Sequence, residues 1–293
     1  MSAPGPVILL SSHVAIGAVG NRVAGFALER LGIETVQVPT VILAHHPGQG
    51  PVEPIRPAPE AFATLLDGIA KRLEARPPAA ILTGYFAGAE EAEAASRFVE
   101  RLKRRYPELL YLCDPVFGDA GRAYLPEGVV ALLRERLLPM ADIATPNLFE
   151  CCELTGLPHE ARLADLTAAA SGLGPPEIIV TSAPALMRGR IAAALVTAGG
   201  TLLAEHPAVA SPAKGAGDLF AALYLGRRLL GTACEEALAL AAAATHDVFA
   251  ATAALGRADL AFAQAQEALV RPGLQRVALR RLACADRAAS AKP

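Results

Sequence analysis

Blocks of like charge are missing from this sequence. Charged residues make up 19% of its 293 positions and the formal net charge is −2, which leaves no electrostatic case for a nucleic-acid partner. The basic cluster "RLKRRYP" fits the solvated face of an amphipathic helix. A long apolar run is missing at the start as well. In "MSAPGPVILLSSHV" no basic residue precedes the short apolar stretch, and Ser11, Ser12 and His13 interrupt it at once. That pattern suits neither a signal peptide nor a membrane span, and the expectation is a cytoplasmic protein. The cysteines Cys113, Cys151, Cys152, Cys234 and Cys284 lack CxxC spacing and are odd in number, which argues against a disulfide framework and a thiolate metal site and leaves ordinary buried thiols. Polar tracts are absent too. With hydrophobic residues at 53%, the chain can bury enough apolar surface to offset its ordering entropy.

What is present is alternation. Short β-rich runs, "VILLSSHV", "TVQVPTVIL", "AAILTGY", "LYLCDPV" and "DIATPN", are separated by helix-length segments at 21–31, "EAFATLLDGIAKRLEA", "EEAEAASRFVERLKRR" and "EGVVALLRERLLPMA", with a short helix from Leu148. This order predicts a mostly parallel sheet with helices on both faces. After Ala170 the pattern loosens into a strand "EIIVTSA", a hairpin around Gly199 and Gly200, and three helices from Gly217 to the end, the middle one rich in alanine. No Pro/Gly/Ser stretch is long enough for a domain linker, and "HHPGQGPVEPIRPAP" reads as a loop or flap.

Ligands of open α/β sheets sit beyond the carboxyl ends of the parallel strands, and polar residues gather there. Gly215, Ala216 and Gly217 precede a helix whose first turn holds Asp218, so unpaired N–H groups and the positive helix end suit an anion. Asp218 is either a base that takes a proton from an alcohol or a helix cap. The "GxGxxG" and "GxxxxGK[ST]" fingerprints are both absent here, so neither a dinucleotide site nor a P-loop is indicated. Asn147 and Glu150, three apart in "TPNLFE", suit a water-mediated Mg²⁺ site or a capping box. Asp114 and Asp119 flank a turn in "CDPVFGD", where two acids near a phosphate call for a bridging cation. Thr181 and Ser182 add hydroxyls after another strand. The adjacent His45 and His46 lack partners at metal-ligand spacing, and Cys151 and Cys152 read as buried helix residues.

Four segments extend this reading. "SSHVAIGAVGNRVAGFALERLGIETVQVPTVILAHHPGQG" has a Ser-His after the first strand, a Gly-Asn before the first helix, a Pro-Thr after the second strand and a flap with His-x-Gly. "ILTGYFAG", the block from "CDPVFGDAGRAYLPEGV" to "TPNLFECCELTG", and "GAGDLFAALYLGRRLLG" follow in order. Together they resemble the pyridoxal kinases of the ribokinase-like superfamily over most of the chain. The resemblance implies a ribokinase-like three-layer α/β/α sandwich with a central, mostly parallel sheet. It further implies one domain over 1–293, with a flap around 44–57 and a short lid around 119–126. The implied reaction is ATP-dependent phosphorylation of the 5′-hydroxymethyl group of pyridoxal, in vitamin B6 salvage, by a homodimer using Mg²⁺ and often a monovalent cation such as K⁺.

Carried over by residue, Asp218 is the base and Gly215, Ala216 and Gly217 form the anion hole. Ser12, Thr40, His46 and Tyr85 line the vitamer pocket. Asp114, Asp119, Asn147, Glu150, Thr181 and Ser182 serve ATP, with Asp114 and Glu150 organising Mg²⁺. Lys214 either adds charge beside the phosphates or stands outside the pocket. The flap reads "AHHPGQG" where the family often has Ser-Asn-His-Thr-Gly-Tyr-Gly, and it keeps His46, Gly48 and Gly50. The alternatives are a hydroxymethylpyrimidine kinase, whose usual Ala-Gly-Ile-Gln-Ala-Asp opening is lacking here, and a non-catalytic vitamer-binding protein, which has no need of Asp218 with its glycines.

Overall fold

In the computed structural model, residues 4–119 and 121–282 are described. Ala120, within the expected lid, and Cys284 lie outside them. Strand β1 (Val7–Val14) leads to helix α1 (Asn21–Arg30), β2 (Thr35–Leu43), α2 (Pro59–Arg72), β3 (Ala80–Thr83), α3 (Ala89–Arg105) and β4 (Leu110–Cys113). A two-stranded ribbon, β5 (Gly118–Asp119) and β6 (Arg122–Ala123), precedes α4 (Glu127–Leu132), β7 (Ile143–Ala144), α5 (Leu148–Thr155) and α6 (Leu163–Ala170). Then come β8 (Glu177–Pro184), β9 (Arg190–Thr197), β10 (Gly200–Pro207), α7 (Ala216–Leu229), α8 (Cys234–Ala254), α9 (Gln266–Val270) and β11 (Ala278–Arg281).

The main sheet has nine strands in the order β11-β10-β9-β8-β7-β4-β3-β1-β2. Pairings from β2 through to β8 are parallel and those from β8 to β11 antiparallel. Alternation along the strands feeds two cores. Ile8, Leu10, Ile81 and Tyr111 pack with Phe62, Phe98, Val130 and Cys151 on one face. Val7, Leu9, Leu82 and Leu112 pack with Leu28, Leu223, Tyr224 and Ala241 on the other. The result is the expected three-layer sandwich. By length and hydropathy α8 would span a bilayer, yet Ala237, Leu238, Ala241, Ala242 and Ala244 are buried against the sheet and α7.

Several boundaries differ from expectation for local reasons. Pro115 and Pro146 lack the N–H a central strand needs, so β4 and β7 stop short of them. The helix expected over 127–141 loosens after Leu132 into a π turn, Leu133–Leu137, and a 3₁₀ turn, Leu138–Met140, around the helix-breaking Pro139. Helix α6 and the β5–β6 ribbon were not expected. The C-terminal region, expected as helix only, adds β11 along β10. Cys113, Cys151 and Cys152 are buried free thiols as expected, whereas Cys234 is only partly buried because it is the first residue of α8.

Candidate active site

The rim begins where β1 ends. Its pairing with β2 slips between Ser11 and His13, and the chain turns into α1 through Gly20 at φ 57°. A Cβ at Gly20 would stand 2.1 Å from the Ser12 carbonyl oxygen, so only glycine fits against that strand end. Asn21, fully buried, donates from Nδ2 to the Ser11 carbonyl at 3.1 Å, which fixes the start of α1 to the strand it follows.

Opposite stands the N-terminus of α7. Gly215 is the residue before its first turn, at φ 98°, and a Cβ there would lie 2.0 Å from the Ala18 carbonyl oxygen. The first backbone pairing belongs to Leu219, whose N–H donates to the Gly215 carbonyl at 3.0 Å. The N–H groups of Ala216, Gly217 and Asp218 therefore have no backbone partner among the described residues. Nothing stands within 4 Å of where a Gly217 Cβ would be, so the glycine leaves a cradle that a side chain would fill. Asp218 is the third helical residue and not the cap, which removes the simple capping reading. Burial pushes its pKa up to about 6, against the opposite pull of the backbone N–H groups of Gly20 and of Asp218 itself.

Between these termini lies a group of acids. Asp114 at the end of β4 is buried and accepts from Thr145 Oγ1 at 2.8 Å. Burial, then the charge of Asp218, pushes it up to about 8. Glu150 is also held well above the ordinary carboxylate range, by burial first and then by Asp114. Both Glu150 oxygens are engaged: Oε2 accepts the Asn147 N–H at 2.8 Å, and Oε1 accepts those of Phe117 and Gly118 at 3.0 and 3.3 Å. The capping box of α5 is thus formed, with Asn147 Oδ1 accepting the Glu150 N–H at 2.9 Å, while Asn147 Nδ2 donates to the Gly118 carbonyl at 2.8 Å. One pair of residues caps a helix and pins the ribbon beside the site.

Asp119, exposed on that ribbon, accepts from Lys214 Nζ at 2.8 Å. Lys214 thereby tethers the anion loop to the expected lid. Tyr124 follows the ribbon, and its hydroxyl is pushed up by burial and by the charges of Glu150, Asp218, Asp114 and Asp119. The residue as a whole is 47% exposed, and its ring stands beside that of Tyr85. Sequence reasoning missed it, although an aromatic residue inside "DAGRAYLP", between acid-bearing segments, was the available signal. Thr181 and Ser182 stand at an irregularity of β8 between Val180 and Ala183. There Ser182 adopts φ 55°, the one positive φ outside glycine among the described residues.

Of the remaining expected residues, Thr40 stands beside Tyr85. Thr40 Oγ1 donates to the Tyr85 carbonyl at 2.6 Å, and Ser11 Oγ accepts the Tyr85 N–H at 3.1 Å. Ser11 thus grips the Gly84–Tyr85 segment, while its neighbour Ser12 is buried against Gly20. The rings of Tyr85 and Tyr124 lie 6.4 Å apart. In the expected flap, His46 Nδ1 accepts the Gly48 N–H at 2.9 Å and starts the turn Pro47–Gln49, while Gln49 Nε2 donates to Asp259 at 2.7 Å. Burial, Lys214 and His45 lower the His46 pKa against the opposite pull of Asp259 and Asp119.

No three metal-ligating side chains converge among the described residues. Buried acids whose charge is uncompensated, one of them with an oxygen to spare, nonetheless fit Mg²⁺. That ion keeps several waters and usually takes one or two carboxylates together with substrate phosphates.

A backbone donor cradle, a poised carboxylate and a cation-seeking acid group at one rim are what transfer of a phosphoryl group to an alcohol requires. Comparison with known proteins agrees. Residues 27–262 match the family model described as phosphomethylpyrimidine kinase. Pyridoxal kinase PdxY of Rubrobacter xylanophilus is 38% identical over 94% of this chain and 97% of its own, and that of Corynebacterium diphtheriae 34% identical over 92% and 97%. Among solved structures, a pyridoxal kinase from Leishmania donovani in complex with ADP and pyridoxine superposes with a TM-score of 0.85 at 27% identity, covering 94% of this chain and 99% of that one. The chain belongs to the phosphomethylpyrimidine kinase family and, within it, to the pyridoxal kinases.

Proposed function

We propose that this enzyme transfers the γ-phosphoryl group of ATP to the 5′-hydroxymethyl group of pyridoxal, giving pyridoxal 5′-phosphate and ADP, in vitamin B6 salvage. The observation that carries the reading is the pairing of Asp218 with the free N–H groups of Ala216 and Gly217. Asp218 takes the proton of the substrate hydroxyl as its oxygen bonds to phosphorus and the bond to the β-phosphate oxygen breaks. The N–H groups of the loop stabilise the charge that spreads over the equatorial oxygens. The backbone N–H of Gly20 favours the charged form of that carboxylate. Ser12, Thr40, His46 and Tyr85 hold the vitamer ring. Thr181, Ser182, Asn147, Asp119 and Lys214 serve the ATP phosphates, Lys214 from its ion pair with Asp119. Asp114, with Glu150 behind it, would hold Mg²⁺ partly through water; when bound, the ion neutralises charge on the phosphates.

A monovalent cation such as K⁺, a cytoplasmic working place and a homodimer complete the proposal. The dimer is supported by the position of β2 at the edge of the sheet and by the apolar groove along α2 formed by Val36, Ala61, Leu65 and Ile69. Light scattering should give twice the chain mass, and Leu65→Glu should shift it to monomer. Hydroxymethylpyrimidine is the alternative acceptor, which the pyridoxal kinase relatives do not favour. Purified protein is therefore offered pyridoxal, pyridoxine and hydroxymethylpyrimidine with ATP, with and without Mg²⁺ and K⁺. Preferential formation of pyridoxal 5′-phosphate supports the first reading, and preferential phosphorylation of the pyrimidine replaces it.

A further inference from the structure

The flap returns to the sheet through one short contact. Ile42 and Ile55 exchange backbone hydrogen bonds of 2.9 Å in each direction, and Arg56 comes next. Its guanidinium grips one carboxylate with both arms: Nε donates to Glu91 Oε1 at 2.9 Å and Nη2 to Oε2 at 2.8 Å. Glu91, in the first turn of α3, is only 2% exposed. A Cβ at Gly88 would stand 1.9 Å from Arg56 Nη2 and 2.8 Å from Glu91 Oε2, so the pair lies against bare backbone. That backbone belongs to the segment that presents Tyr85. A small apolar cluster ties the same parts together, with Val52 of the flap and Tyr85 and Ala87 packed around Val14, Val19, Val41 and Leu43.

A bidentate guanidinium–carboxylate pair fixes orientation as well as distance. Exposed ion pairs on this protein, such as Arg97 with Glu93, have no such consequence. Arg56 differs because its partner is buried and because it joins the flap to the segment that carries Tyr85. We propose that Arg56 and Glu91 are positioning residues that hold the flap in register with Tyr85, so that the turn carrying His46 meets the acceptor ring in the orientation phosphoryl transfer needs. The inference rests on the reading of pyridoxal as the acceptor. Neither residue lies among the groups that serve ATP, so their effect is confined to the acceptor side.

The test uses the full chain with Arg56→Gln, Arg56→Lys, Glu91→Gln and the double Arg56→Gln/Glu91→Gln. Small displacements at a reacting centre are costly, so the expected result is a rise of about tenfold in KM for pyridoxal, with KM for ATP held within about twofold. Arg56→Lys, which keeps the charge and loses the fork, should fall in between. The double variant should be no worse than the poorer single one, because the two residues act through each other. Hydrogen exchange should accelerate at residues 47–56 in every variant, a readout independent of turnover. Unchanged KM for pyridoxal with unchanged flap exchange overturns the proposal. So does an equal loss across both substrates with exchange accelerated throughout the sheet, which would mark a purely structural pair. If the unaltered protein fails to phosphorylate pyridoxal, the functional reading falls. Flap exchange in the variants still decides whether Arg56 and Glu91 anchor this segment.

Discussion

Two influences set the chemistry of Asp218 in opposite directions. The N–H of Gly20 stabilises its charged form, and burial raises its pKa more strongly, to about 6. A general base works best when its pKa lies close to the operating pH, and this one would be largely ionised at neutrality while remaining basic enough to receive a proton. Asp218→Asn should therefore lower kcat by about 10²–10⁴-fold with little change in KM for ATP, read in a steady-state assay. The pH profile follows with a definite sign. Because the charged form is the active one, kcat/KM should climb as pH rises through about 6 and then level off. An unbroken slope through that range would mean that another group sets the protonation state.

Two helices must approach closely for that pairing to exist, and Gly226 permits it. A Cβ on this residue of α7 would stand 2.7 Å from Leu31 Cδ1 and 3.0 Å from Leu28 Cδ2, so α7 rests on α1 and the chain just after it. Gly226→Val should overpack that contact and cost about 1–3 kcal/mol, measured by urea unfolding. It should also lower kcat, because Gly20, which lowers the Asp218 pKa, leads directly into α1. This dependence on a distant glycine explains which features were legible in the sequence. Motifs at strand ends name the residues of the rim because alternating strands and helices must bring those ends together. Tyr124 was not legible, since only the folded ribbon brings its ring beside that of Tyr85. Nor was the capping box settled, because "TPNLFE" fits both a cap and a cation site. The structure shows Glu150 capping α5 while remaining within the acid group. Strand β11 escaped notice because its "ALRR" sequence carries no alternating apolar signal and depends on β10 for its pairing.

For the whole molecule, the acids of the rim oppose folding. Asp114 and Asp218 both have an ordinary value of 3.8, raised in the folded protein to about 8 and about 6. Between about pH 4 and those values the unfolded chain has already released protons that the folded protein still holds. Bound protons favour the state that holds more of them. The stabilising contribution of these two groups is therefore present at low pH and lost as pH rises through about 6 and then about 8, the reverse of an ordinary ion-paired carboxylate. The ligand-free protein should melt at lower temperature at pH 8 than at pH 6, with each kcal/mol worth on the order of 2 °C in a chain of this size. Asp114→Asn should flatten that slope, because the amide has no proton to release. If Asp114 contributes to a cation site, millimolar Mg²⁺ should restore melting temperature at pH 8 in the unaltered protein and much less in Asp114→Asn, since a ligand that binds only the folded state stabilises it by mass action. Equal stabilisation of both proteins by Mg²⁺ would remove Asp114 from the metal site while leaving its part in the pH slope intact.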